Sequence, residues 1–310
     1  MIKETIFNDR SLPWRNLKQS RSPATKTQND EIFFSLHSRS KNPLSAWELK
    51  LDPSKCTYTA LYPRAWSEFD LSEHGIKLIC RQVSPIIPHN YKDSSLPCSV
   101  FVWQIENTCD KDRKVSMTFV MKNGTGNKKQ DNAGGARTVT FDSDDIRGAT
   151  IMQTIADMPC NYTVGVYKSS DDIKVATIGK IDPNGNGSAV WKDLIENGIP
   201  TEKSEEKNLK EGKDVCVAVS AQKMIKAGNC EDIEFCLVWD MPKVKFPRGS
   251  KLYSKYYTKY FGADGNAGDK ILDYAFKNFS KWEQMIVEEW QRDILEDEWV
   301  DDQVSWKLRD

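Results

Sequence analysis

Two hydrophobic periods divide the chain. Between residues 56 and 239, apolar side chains recur at alternate positions in short runs: 56–62, 75–80, 100–107, 115–121, 137–141, 146–152, 161–167, 173–178, 214–220 and 232–239. Alternation with Gly, Asn and Asp turns between runs predicts about ten strands with one buried face each, the pattern of an antiparallel β-sandwich. After residue 262 the period changes. Ile271, Leu272, Ala275, Phe276, Phe279, Trp282, Ile286, Val287, Trp290 and Ile294 follow a three-to-four spacing. This predicts one amphipathic helix over about 267–295, capped by Asp264 or Asn266. The fold class expected is therefore mainly β: an antiparallel two-sheet β-sandwich followed by one long amphipathic C-terminal helix. The helix carries a wide apolar face with two Trp and two Phe, so that face needs a partner.

The remaining segments read as follows. Residues 1–43 are rich in Ser, Asn, Lys and Arg, and only Ile32–Leu36 looks strand-like; poor order is expected for the rest. The sandwich is assigned to 44–262, the helix to 263–297 and a divergent acidic tail to 298–310. Gly124–Gly135 and Pro200–Lys213 interrupt the strand pattern as polar loops. Between two strand-like runs, Pro85, Pro88 and Pro97 exclude a helix or central strand, so that loop must be ordered by packing.

Composition narrows the function. Forty-four basic and 45 acidic residues give a net charge of −1, which argues against nucleic-acid binding through a basic surface. The first residues, Met-Ile-Lys-Glu-Thr-Ile-Phe-Asn-Asp-Arg, lack the apolar core of a signal peptide, and no run reaches the ~18 apolar residues of a membrane span. A cytoplasmic location, not secretion, is expected. The eight cysteines (56, 80, 98, 109, 160, 216, 230, 236) are scattered without a Cys-x-x-Cys pair, as expected of free, partly buried thiols. The Asn-x-Ser/Thr triplets at Asn123, Asn161, Asn186 and Asn278 then carry no meaning.

Candidate chemistry is sparse. Asp182–Asp193 places oxygen-bearing side chains at positions 1, 3 and 5, Gly at 6 and Asp at 12, the spacing of a calcium loop. The residues before it look like a strand, and position 12 is one methylene short, so a strand–turn–helix connection into Trp191–Ile195 is the better reading. His89 lies near Asp93, where acid/base work competes with a loop-ordering hydrogen bond, the favoured reading. His37 and His74 are isolated, and no metal set is expected. Gly124-Thr-Gly126 lacks the context of a nucleotide loop. The acidic groups at 142, 144 and 145, and at 296–298, read as a solvated turn and a charged tail. Arg64 suits a bidentate contact with a carboxylate.

Five ordered segments carry a resemblance: Ala60-Leu-Tyr-Pro-Arg-Ala-Trp66, Cys80–Pro97 (Cys-Arg-Gln-Val-Ser-Pro-Ile-Ile-Pro-His-Asn-Tyr-Lys-Asp-Ser-Ser-Leu-Pro), Trp239-Asp-Met-Pro-Lys-Val-Lys-Phe246, Tyr256-Tyr-Thr-Lys-Tyr-Phe-Gly262, and the pair Trp282-Glu and Trp290-Gln. Over roughly residues 44–297 the chain resembles the N-terminal domain of glycoside hydrolase family 116, whose animal members are non-lysosomal glucosylceramidases. It departs from that family upstream, where a Gly-Gly-Ile-Gly-type segment is absent, and in its tail. The resemblance implies retaining hydrolysis of glucosylceramide to glucose and ceramide without a cofactor. It also implies peripheral association with ER- or Golgi-type membranes. It places the catalytic Glu and Asp in an (α/α)6 domain outside this chain, so no catalytic, cofactor or metal residue is expected here, and substrate is met only through that domain. The alternative is a stand-alone carbohydrate-binding or interaction module, or a regulatory truncated form, with a protein partner on the 267–295 helix.

Overall fold

The computed structural model describes residues 52–124, 135–170, 172–183, 187–201, 214–246 and 251–295. The expectations for 1–43 and 298–310 lie outside these residues. In chain order the strands are β1 (Cys56–Leu61), β2 (Arg64–Leu71), β3 (Ile76–Val83), β4 (Cys98–Asn107), β5 (Arg113–Lys122), β6 (Ala136–Asp142), β7 (Ile146–Ile155), β8 (Met158–Pro159), β9 (Asn161–Tyr167), β10 (Lys174–Ile181), β11 (Cys216–Ile225), β12 (Cys230–Asp240), β13 (Lys243–Lys245) and β14 (Leu252–Ser254). The helices are α1 (Tyr91–Ser94), α2 (Ser188–Asn197), α3 (Thr258–Phe261) and α4 (Gly268–Ile286). α4 runs on through a π turn, Val287–Gln291, into a last α turn, Arg292–Leu295.

All strand pairs are antiparallel. The large sheet has the order β1-β2-β3-β4-β12-β9-β7-β6, with β8 beside β7. The small sheet is β10-β11-β5, and β13 and β14 form a separate ribbon. Side-chain alternation sorts β12 between two cores. Ile233, Phe235 and Leu237 enter the core shared with the small sheet, together with Phe101, Trp103, Phe119 and Val219. Cys236 and Val238 point the other way, under α4, with Val100 and Val102 of β4. α2 covers the back of the small sheet through Val190 and Leu194. The layers are therefore α2, small sheet, large sheet and α4.

The helix expected at 267–295 forms there, and its apolar face is closed by the large sheet. Ile271, Leu272, Ala275, Phe276, Phe279, Trp282 and Ile286 are all buried in one cluster with strand residues. Burying these side chains is worth on the order of 10 kcal/mol before entropy. The expectation of a protein partner on this helix rested on an open apolar face; the sheet occupies that face from Ile271 to Ile286, and Ile294 beyond it is exposed. The cap also differs from expectation. Neither Asp264 nor Asn266 caps α4. The backbone N–H of Ala267 donates instead to Asp240, 27 residues upstream.

The eight cysteines are free thiols, and five of them are buried. β2 and the β13–β14 ribbon fall outside the runs read from the pattern. β2 shows an irregular burial pattern, and the ribbon strands are three residues each and mostly exposed. Among the described residues no helix is long and apolar enough to cross a membrane.

The start of α4 sits hard against β9. A Cβ added at Gly268 would lie 2.0 Å from Thr163 Oγ1, and one at Gly165 would lie 2.8 Å from Leu272 Cδ1. Thr163 is fully buried and bonded to Thr150, so it cannot swing away. Gly268→Ala is expected to cost about 2 kcal/mol through overpacking, read as a lowered urea midpoint; an unchanged midpoint would show that the helix can lift off the sheet freely.

Candidate functional site

The segments that drew attention in the sequence converge along α4. At its far end, β1 and β2 meet in a hairpin whose Tyr62–Pro63 peptide is cis. Arg64 starts β2 and is buried. Its Nε donates to Gln291 Oε1 at 2.9 Å, and its guanidinium lies 3.5 Å from Glu283 Oε1 and 4.8 Å from the centre of the Trp66 ring. Gln291 Nε2 donates to the carbonyls of Leu61 and Tyr62 at 3.0 and 2.9 Å. Glu283 also pairs with Arg81 at 3.0 Å, and Tyr62 meets Trp290 edge to face. Burial lowers the pKa of Arg64, while Glu283 opposes that shift. The carboxylate partner foreseen for Arg64 is thus within the chain, on α4. Gln291 reaches the hairpin because the helix is π-wound over Val287–Gln291.

At the near end of α4, the fully buried Asp240 ends β12. It accepts from the Tyr257 hydroxyl at 2.8 Å and from the Ala267 N–H at 2.7 Å. Burial and the Asp240 carboxylate push the Tyr257 phenol well above its ordinary pKa, so it stays a donor. Asn161 donates to the Gly265 carbonyl, and its own Oδ1 receives the Gln153 N–H. Between the two ends, Tyr274 donates to Asp93 at 3.0 Å.

The proline-rich loop is ordered differently from the expected His89–Asp93 bond. His89 is exposed with a positive φ of 61°. Asp93 instead receives Asn90 Nδ2 and Tyr274, while Asn90 Oδ1 caps α1 by accepting the Asp93 N–H. Ser94 Oγ both donates to and accepts from the Ile87 backbone. Packing completes the order, since Ile87 and Leu96 lie in the core under α4.

The other candidates fall into structural roles. Asp193 lies in α2 and receives the Thr201 N–H at 2.9 Å, which matches the strand–turn–helix reading; residues 184–186 of the calcium-like spacing lie outside the described residues. Asp142 is paired with Lys168 and Arg147 at a turn. Residues 296–298 and His37 lie outside the described residues. His74 is exposed beside Glu73. Among the described residues, no group of three or more His, Cys, Asp or Glu could hold a metal ion. Sequence reasoning passed over Asp232 and Glu234. They alternate on the outer face of β12, and burial raises both carboxyl pKa values, that of Glu234 to about 7 with Asp232 adding to the rise. Their signal was two acids at i and i+2 inside an apolar strand.

Two measurements follow. Arg64→Ala should cost about 3 kcal/mol by leaving Glu283 and Gln291 short of a buried partner. Combined with Gln291→Ala, the losses should fall short of additive by about 1 kcal/mol; strict additivity would mean the two side chains act separately. For Glu234, the folded form holds its proton more tightly than the unfolded chain. Its stability contribution is therefore full below the ordinary glutamate pKa of 4.5 and lost as pH rises through about 7. Glu234→Gln should raise the melting temperature above pH 7 and leave it nearly unchanged near pH 4; an equal shift at both pH values would refute this.

Comparison with known proteins places these features. The family model described as beta-glucosidase 2, glycosyl-hydrolase family 116 N-term, matches residues 15–282. A solved structure provisionally assigned as a kojibiose phosphorylase from the human microbiome is similar at 8% identity and a TM-score of 0.30. That match covers 70% of this chain and 20% of the other, so the chain spans about a fifth of that protein's length. The matched family residues run from before β1 to within α4; they include the Asp93 and Asp240 networks and Arg64 itself, whose partners Glu283 and Gln291 lie just beyond the match. The chain belongs to glycosyl-hydrolase family 116 and carries that family's N-terminal domain.

Proposed function

We propose that this chain is the N-terminal scaffold of a retaining β-glucosidase that hydrolyses glucosylceramide to glucose and ceramide. One observation carries the reading: the family match extends from the sandwich into α4, and the side chains of the matched segments are spent on seating that helix. Such a scaffold fixes the direction in which the chain leaves the sandwich. In this reading the nucleophile and the acid/base, two carboxyl groups about 5 Å apart, belong to a helical domain outside these residues. The sandwich contributes support rather than proton transfer. The enzyme works as a peripheral protein at ER- or Golgi-type membranes, where its substrate resides.

The alternative, a stand-alone interaction or carbohydrate-binding module, predicts a different outcome in one experiment. The 310-residue chain is assayed for glucose release from glucosylceramide alone, and again when joined after α4 to a helical catalytic domain of the family. No turnover alone and clear turnover when joined is the expected result. Turnover by the chain alone would place the catalytic carboxylates here and end the scaffold reading. A joined protein that cleaves other β-glucosides but leaves glucosylceramide intact would end the glycolipid assignment.

A further inference from the structure

From Met241 to Phe261 the sequence holds six Lys or Arg residues and no Asp or Glu, in a chain of net charge −1. The same segment holds six aromatic residues. In the structure most of these are not core. Eleven large apolar side chains are exposed among the described residues, and five of them, Phe246, Leu252, Tyr253, Tyr256 and Tyr260, belong to this segment. A sixth, Tyr91 on α1, is the most exposed of the eleven and joins them. Its ring lies 6.5 Å from Tyr256, which lies 6.0 Å from Tyr260. Phe246 and Tyr253 pack edge to face on the β13–β14 ribbon, which stands outside both sheets of the sandwich.

The cations of this surface rest on rings. Lys259 sits 4.2 Å over Tyr256, Lys251 5.2 Å over Tyr253, and Lys92 4.5 Å over Tyr274 and 5.5 Å over Tyr260. Lys243 donates to Ser254. None of Lys92, Lys243, Lys245, Lys251 and Lys259 is ion-paired to a carboxylate among the described residues. The positive charge of the surface is therefore uncompensated within the described residues.

We propose that this aromatic–basic face, formed by the β13–β14 ribbon, α3 and Tyr91, docks the protein on an anionic lipid bilayer. The chemistry matches at both levels. Tyrosine rings with apolar bodies and wet hydroxyls favour the headgroup layer. Exposed lysines are drawn to anionic headgroups by about 1 kcal/mol each. Phe246 and Leu252, exposed at the ribbon, suit shallow burial in a surface rather than closure around a small ligand. A sugar is the poorer fit, because lysines cover ring faces and the segment supplies no carboxylate to bind hydroxyls. The proposal gives the membrane association in the reading above a surface, and its test needs no glycosidase activity, so either can fail alone.

The purified chain is floated with vesicles of phosphatidylcholine alone and of phosphatidylcholine with phosphatidylserine. Two variants of exposed residues accompany it: Lys245→Glu/Lys251→Glu/Lys259→Glu, and Phe246→Ala/Leu252→Ala/Tyr253→Ala. Circular dichroism melting checks that each stays folded. Binding should require phosphatidylserine, weaken with added salt, and drop about 100-fold in the charge variant. The apolar variant should also bind less, and that loss should persist in salt. Absence of vesicle binding, equal binding to both vesicles, or variants that bind like the parent would each overturn the proposal. So would capture by a polyglutamate peptide without vesicle binding, which would assign the face to an acidic protein.

Discussion

The seating of α4 depends on Asp240. A carboxylate with no exposure to solvent is costly to hide, and this one is balanced by two donors from separate parts of the chain. The Ala267 N–H is one of the orphan donors every helix leaves at its start, and the helix dipole favours a negative charge there. Tyr257 supplies the second bond and stays protonated because burial, and then that carboxylate, raise its pKa. The end of β12, α3 and the first turn of α4 are thereby fixed to one atom group. The register of α4 over the sheet follows, and with it the meeting of Glu283 and Gln291 with Arg64.

Polar contacts of this kind do not supply most of the stability. The apolar face of α4 does that, and many alternative placements of a greasy helix on a greasy sheet would bury similar area. The buried Asp240, Asn161 and Arg64 make one placement satisfactory and leave charges or amides stranded in the others. Gly268 and Gly165 act in the same direction by sterics, admitting the helix only where no Cβ intervenes.

The layers of the fold were legible in residue order because both periods are strong. The three-to-four spacing of Ile271–Ile286 survives in the structure, whereas Val100–Asn107, expected to bury one face, is buried on both faces over Val100–Trp103 because α4 covers the second. What stayed hidden has physical reasons. Capping by Asp240 is a contact across 27 residues, whereas local rules look within a turn and so favoured Asp264 or Asn266. Arg64 invited a carboxylate, but Glu283 lies 219 residues away, a distance over which no spacing rule acts. The His89–Asp93 pairing looked plausible as neighbours in a loop, yet a positive φ turns His89 outward and leaves Asp93 to Asn90 and Tyr274. The ribbon β13–β14 escaped because a short, mostly exposed two-stranded element buries little and so shows no alternation.

The π turn over Val287–Gln291 has a consequence for the geometry beyond the helix. A π winding accommodates an extra residue in the helix, and each residue of an α-helix turns the chain by about 100°. Were these same residues wound as regular α, the extra residue would no longer be absorbed and everything after it would swing by about that angle. Gln291 would then miss the hairpin carbonyls, and any structure following Leu295 would face a different side of the sandwich. The widened turn thus works as an angular setting, keeping Gln291 on the side of the hairpin.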